Sequence, residues 1–280
     1  MGSFSRSIED IILTHGSRGM DRIRSALAEG YCRRAADIVL THRGCVVMGT
    51  GFPVIGSFET DGPLGAIALY QVLETLGSQP VFVCAPPISR VLQPRYRTRE
   101  VPILGWQESI PVMAAACAEL HPSLMVSIER PGVAADGRYY NMRRQDISDS
   151  VAKLDLLFMQ AACPRICVGD GGNEIGMGKL GAVLSELPII PAVTPCEELI
   201  IATVSNWGVY GLIAALSDRV GEDLFSAFDP NAILDYLVRQ GAVDGTTGIA
   251  ECTEDGFPLD VGLEVIARLR ELVAGHRTAG

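Results

Sequence analysis

Apolar residues along this chain gather into short, nearly continuous runs. Each is followed by a glycine- or proline-marked loop and then a stretch with helical spacing. The runs are residues 44–49 (GCVVMG), 80–85 (PVFVCA), 123–129 (SLMVSIE), 165–170 (RICVGD) and 198–204 (ELIIATV). Runs that are apolar at nearly every position, rather than at alternate ones, suit strands covered on both faces. Strand and helix in alternation predict a doubly wound α/β fold: a mostly parallel sheet with helices on both faces, Rossmann-like and three-layered.

The helical stretches carry end signals. Pro63 sits near a first helical position, with Leu64, Ile67, Val72, Leu73 and Leu76 along the body and Gly77 as the stop. A second helix runs from about Ser109 to Leu120, ended by His121 and Pro122. A third is expected to start near Asp146 or Ser148, with Val151, Leu154 and Leu157 facing inward. Later ones begin after Asn206 and at Asp229, which caps, with Pro230 leading. Residues 1–40 read as two helices, the second covering 22–40, that form a helical extension on a single α/β domain spanning 1–280. No repeat or linker interrupts the run.

Composition narrows the classes. Of 280 residues, 48% are hydrophobic and 20% charged, enough apolar material for a packed core. The net charge of −10 argues against nucleic acid and anionic membrane as partners. The one arginine-dense stretch, residues 90–100, reads as a solvated loop or a presenter of arginines to an anionic ligand. Eight scattered cysteines without a leader-like segment suit a reducing, cytoplasmic setting. Cys163 and Cys167 lack the second cluster that a zinc site needs.

In an open parallel sheet, ligands bind outside the carboxyl ends of the strands. Polar residues converge on that edge: Thr50, Gly51, Glu59, Thr60 and Asp61 after the first run, and Glu129, Arg130, Asp136, Arg138, Tyr139 and Asn141 after the third. Asp170, Asn173 and Glu174 follow the fourth run, and Ser205, Asn206 and Trp207 the fifth. Each alone has a plain explanation. Asp61 and Asn173 can be helix caps, Asp136 turn chemistry, and Glu129 half of an ion pair. Four clusters on one edge are better explained by one site. Its carboxylates, with no matching His or Cys, favour a hard cation such as Mg2+ or Mn2+, with Asp61, Asp170 and Glu174 as candidate ligands. The turn after the first run, GTGFPV, is neither a G-x-G-x-x-G fingerprint nor a P-loop, so no nucleotide cofactor is expected.

The stretches GTGFPV, ETDGPLGA, ERPGVAADGRYYNMR, DISD, GDGGNEIGMG, SNWGVYGL and GAVDGTTG, from about Thr41 to Gly248, are where the chain resembles the C-terminal domain family of mitochondrial D-glutamate cyclase. The resemblance implies a lyase that converts D-glutamate to 5-oxo-D-proline with loss of water. Ring closure needs a base for the α-ammonium and an acid for the leaving hydroxide. Glu59, Asp61, Asp170 and Glu174 are the candidates for these roles. Arg130 and Arg138 are placed to grip substrate carboxylates, with Thr50, Gly51, Glu129, Asp136, Tyr139, Asn141, Asn173, Ser205, Asn206 and Trp207 completing a pocket for a small carboxylate. The eukaryotic enzyme carries an additional N-terminal portion, so a separate partner protein related to it is one expectation. Two other readings stay open: a metal-dependent hydrolase or lyase for another carboxylated or phosphorylated metabolite, and a non-catalytic small-acid binding subunit.

Overall fold

The computed structural model describes residues 2–16, 18–54 and 56–279. Its centre is a parallel sheet of six strands: β1 (Cys45–Thr50), β2 (Gln79–Cys84), β3 (Thr98–Glu100), β4 (Leu124–Ile128), β5 (Arg165–Gly169) and β6 (Glu198–Ile201). Their spatial order is β3-β2-β1-β4-β5-β6, and every pairing is parallel. Val46 pairs with Leu124 and Thr50 with Ile128, which sets the ends of β1 and β4 side by side. The direction in which successive strands are laid down across the sheet reverses between these two, so a crevice opens at their carboxyl ends.

Helices around the sheet give a three-layer α/β architecture. The helix Ser205–Val220 is buried from Ser205 through Ser217. It is enclosed by Gly2–Ile12, Tyr31–Thr41, Pro63–Thr75 and Leu259–Ala279, while Trp106–Leu120 packs against Asp155–Gln160. The strands are buried because both faces are covered, as their unbroken apolar runs require.

Three expectations are corrected. The helix expected from Asp146 or Ser148 starts at Asp155, after a single 3-10 turn at Ser148–Ser150. Asp155 explains the delay: its buried carboxylate accepts from Val133 N–H (3.1 Å), the Tyr139 hydroxyl (2.7 Å) and the Thr194 hydroxyl, tying the preceding loop to the core. The helix expected over 22–40 is broken by Gly30 at φ 91, and its second half is Tyr31–Thr41. Part of the arginine-dense stretch is the edge strand β3, whose Thr-Arg-Glu sequence fits a strand with one open side.

Candidate active site

Two helix N-termini meet at the carboxyl edge and cap each other. Asp61, just before Pro63–Thr75, accepts from the backbone N–H groups of Ser205 (2.9 Å) and Asn206 (2.8 Å), the first turn of the other helix, and from Gly62 (2.8 Å). Asn206 returns the contact, its Oδ1 accepting from Gly62 N–H (2.9 Å) and Gly65 N–H (2.7 Å). Each side chain thereby satisfies the orphan donors of the other's helix. In dinucleotide-binding versions of this strand order, the amides at the N-terminus of the helix after the first strand face a pyrophosphate.

Glu129 leaves β4 at φ 45, in the left-handed region that non-glycine residues rarely adopt. Its carboxylate accepts from the Ser205 hydroxyl. Gly62, at φ 87, makes room for it, since a Cβ there would lie 2.6 Å from the Glu129 Cβ. The unusual backbone at Glu129 costs about 1–3 kcal/mol, and the surrounding contacts hold it in place.

The glycine-rich turn after β5 locks itself. Glu174 accepts from the N–H groups of Gly171 (2.8 Å) and Gly172 (2.7 Å). Gly176 presses its backbone onto β5, where a Cβ would come within 2.2 Å of the Cys167 Cβ. The turn carries Asp170, fully buried, whose Oδ1 accepts from Arg18 (2.7 Å) and whose Oδ2 has no protein partner. Arg18 also pairs with Asp255; burial opposes its charge, but the Asp170 and Asp255 carboxylates outweigh it and keep the guanidinium charged.

A cavity of about 700 Å3 opens over this edge, with Arg18, Glu59, Glu129, Asn141 and Arg143 among its lining. Asp61, Asp170 and Glu174 lie outside that lining, in the wall behind it. Burial, and then the charges of neighbouring carboxylates, raise Glu59 and Glu129 well above the ordinary carboxylate range. Asp170 is raised well above it by burial, partly opposed by Arg18. Burial and the charge of Asp255 lift Asp61 to about 6. Glu254, which accepts from Asn206 Nδ2 (2.9 Å), is pushed up to about 8, mainly by burial. Carboxyl oxygens of Asp61, Glu129 and Asp170 can be chosen within 4.8 Å of one another.

The other residues expected at the site have these places. Thr50, Ser205 and Asn206 are buried at the edge, and the Thr50 hydroxyl has no protein partner. Gly51 offers its carbonyl to Arg130 (2.6 Å), which also donates to Ala152 O (3.0 Å), so the Arg130 guanidinium ties two loops together. Asn173 donates to Tyr140 O (2.9 Å). Tyr139 and Trp207 are in the core, and Arg138 lies at the surface with Asp146 (3.5 Å) and the exposed Asp136 nearby. Arg18, Asp255 and Arg143 went unnoticed in the sequence. Arg18 stands alone between glycines at 16 and 19, and the Asp255-Gly256 pair reads as turn chemistry.

The segment 246–258 is fastened rather than loose. Asp244 Oδ1 accepts from Thr246 N–H and Thr247 N–H (both 2.9 Å), and its Oδ2 from Thr253 Oγ1 (2.7 Å) and Gly256 N–H (2.6 Å).

Fold and site together define an α/β protein with a buried acidic cluster behind a cavity at the carboxyl edge of its sheet. The chain belongs to the family described as D-glutamate cyclase-like, C-terminal, whose profile matches residues 8–270. It is 30% identical over 324 aligned positions to human "D-glutamate cyclase, mitochondrial", an alignment that takes in 97% of this chain and 52% of that protein. The chain thus spans about half the length of this curated relative. No helix among the described residues is long and apolar enough to cross a membrane.

Proposed function

We propose that this chain is a D-glutamate cyclase-like lyase that closes D-glutamate to 5-oxo-D-proline at the cavity over β1 and β4. One observation carries the reading beyond family membership. Two buried cavity-lining carboxyls, Glu59 and Glu129, both have their hold on a proton strengthened, and of the two only Glu129 accepts a hydrogen bond from a protein hydroxyl among the described residues.

Glu129 receives the Ser205 hydroxyl, which favours its ionised form, whereas no protein donor to the Glu59 carboxylate is seen among the described residues. Glu129 then takes a proton from the substrate ammonium, freeing the amine to attack the γ-carboxyl carbon. Glu59, kept protonated by burial and the nearby Asp61 and Asp255, gives its proton to the departing oxygen, which also takes the second proton shed by the attacking nitrogen and leaves as water while the carbon–oxygen bond breaks. Arg143, whose recorded side-chain contact is a long one to Thr246 O (3.5 Å), is free to hold a substrate carboxylate at the rim. Arg18 partly offsets the burial of Asp170 and limits the repulsion among the acids.

The donor set also fits a hard divalent cation. Asp61 and Asp170 would hold it, leaving Glu129, the third acid of that group, to the proton transfer, and the Asp170 Oδ2, without a partner among the described residues, supports that placement. Among the described residues, Glu174 does not join this group. A bound Mg2+ or Mn2+ would polarise the carbonyl under attack.

The test is incubation of metal-stripped protein with D- and L-glutamate, with and without Mg2+ or Mn2+, following 5-oxoproline by chiral chromatography. Product from the D-isomer is expected. No product from either isomer with metals restored would overturn the assignment.

A further inference from the structure

The cavity is far larger than the substrate proposed for it. Even if each of its ten non-hydrogen atoms were given the ~30 Å3 of a water molecule in the liquid, a generous allowance for bonded atoms, free glutamate would take up at most roughly 300 Å3. The cavity holds about 700 Å3, within the range of sites that enclose larger ligands.

Its two ends also differ in chemistry. The acidic end lies over β4 and β5, where Glu129 and the buried Asp170 sit. The other end runs along the sheet edge past β1 to the loops after β2 and β3. Its wall there gathers apolar side chains: Phe52 follows β1, Pro86 and Pro87 follow β2, and Ile103 follows β3, with Ile147 from the 131–154 excursion, which also brings the polar Gln145, Asp149 and Ser150 to the lining. From β4 to β3 is three strand spacings, roughly 14 Å at about 4.8 Å each. Apolar side chains give a charged amino acid nothing to bind.

We propose that the preferred substrate is a γ-glutamyl amide whose amine portion carries an apolar group, with the glutamyl part over Glu59 and Glu129 and the apolar group against Phe52, Pro86, Pro87, Ile103 and Ile147. This rests on the cyclase reading and extends it. The α-nitrogen forms a bond to the γ-carbonyl carbon, and the bond from that carbon to the amide nitrogen breaks. The two protons shed by the ammonium end on the leaving amine, which departs as an alkylammonium, so 5-oxoproline forms without water being consumed or released. Glu129 removes the proton, and Glu59 delivers one to the leaving nitrogen.

The test compares the γ-methylamide and the γ-benzylamide of D-glutamate, which share leaving-group chemistry and differ in apolar bulk, with free D-glutamate measured alongside. 5-Oxoproline is the readout for all three. The expected result is kcat/KM for the benzylamide at least tenfold above that for the methylamide. The Ile103→Trp and Ile147→Trp variants, which fill the apolar end, should each reduce that ratio toward one. Turnover of free D-glutamate with an equal or lower rate for the benzylamide would overturn the amide proposal and leave the cyclase reading standing. No 5-oxoproline from any of the three would overturn both.

Discussion

Replacing Asp61 by Asn separates two contributions of this residue that act in opposite directions. As a cap, Asp61 accepts three backbone N–H bonds. Asn keeps one carbonyl oxygen for Gly62 and Asn206 but turns an amide toward Ser205 N–H. That leaves a buried donor unpaired, at a cost of about 1–3 kcal/mol that does not depend on pH. As a charge, Asp61 is a burden. Its carboxyl is lifted from 3.8 to about 6, by burial first and by Asp255 second. At 1.36 kcal/mol per pH unit, the fully ionised group destabilises the fold by about 3 kcal/mol. Because the folded-state value is the higher one, this cost is absent in acid, sets in above 3.8 and is complete above about 6. Asn carries no such cost at any pH. The variant should therefore be less stable than the parent at pH 4, with the gap shrinking by about 2 kcal/mol by pH 8. Urea unfolding of both proteins in EDTA-containing buffers between these limits, followed by circular dichroism, measures the gap directly. A gap that stays flat, or widens with pH, would refute the claim that Asp61 is a strained buried acid.

Two further outcomes are expected. Glu59→Gln should leave the melting temperature unchanged or higher and lower kcat by about 10²–10⁴-fold, with the acid limb of the pH–rate profile altered; full activity in 5-oxoproline assays would remove Glu59 from the chemistry. Asp244→Ala should free the four donors now fastened by one carboxylate, costing about 2–4 kcal/mol, and hydrogen exchange should quicken at Thr246, Thr247 and Gly256. Because the Asp244 carboxyl is lowered by those four hydrogen bonds despite its burial, its contribution is present above the unfolded value and fades as pH falls through the folded one.

The sheet was legible in the sequence because burial on both faces demands apolar runs, and five strands lie within a residue or two of such runs, apart from the late end of the fifth. β3 was hidden because an edge strand can be polar. The acidic edge could be read from residues that follow strands. Which acids face the cavity could not, because that depends on how the two helix N-termini share their caps. Asp61 and Asn206 look like ordinary local caps in sequence, yet each acts on a helix some 140 residues away. Arg18 left no trace for a related reason. Its partners Asp170 and Asp255 are separated from it by 152 and 237 residues, and no local periodicity marks a contact of that kind.

That last contact also sets an order of events during synthesis. Arg18 is made 152 residues before Asp170 and 237 before Asp255, so the charge that tempers the acidic cluster can be clamped from one side well before it is clamped from the other. Closing so long a loop is slow because its entropy must be lost before the contact forms. A chain made only as far as Asp170 therefore presents its sheet edge as a cluster of mutually repelling acids with an incomplete counter-ion. The charge balance of the cavity is complete only once that longest contact has closed.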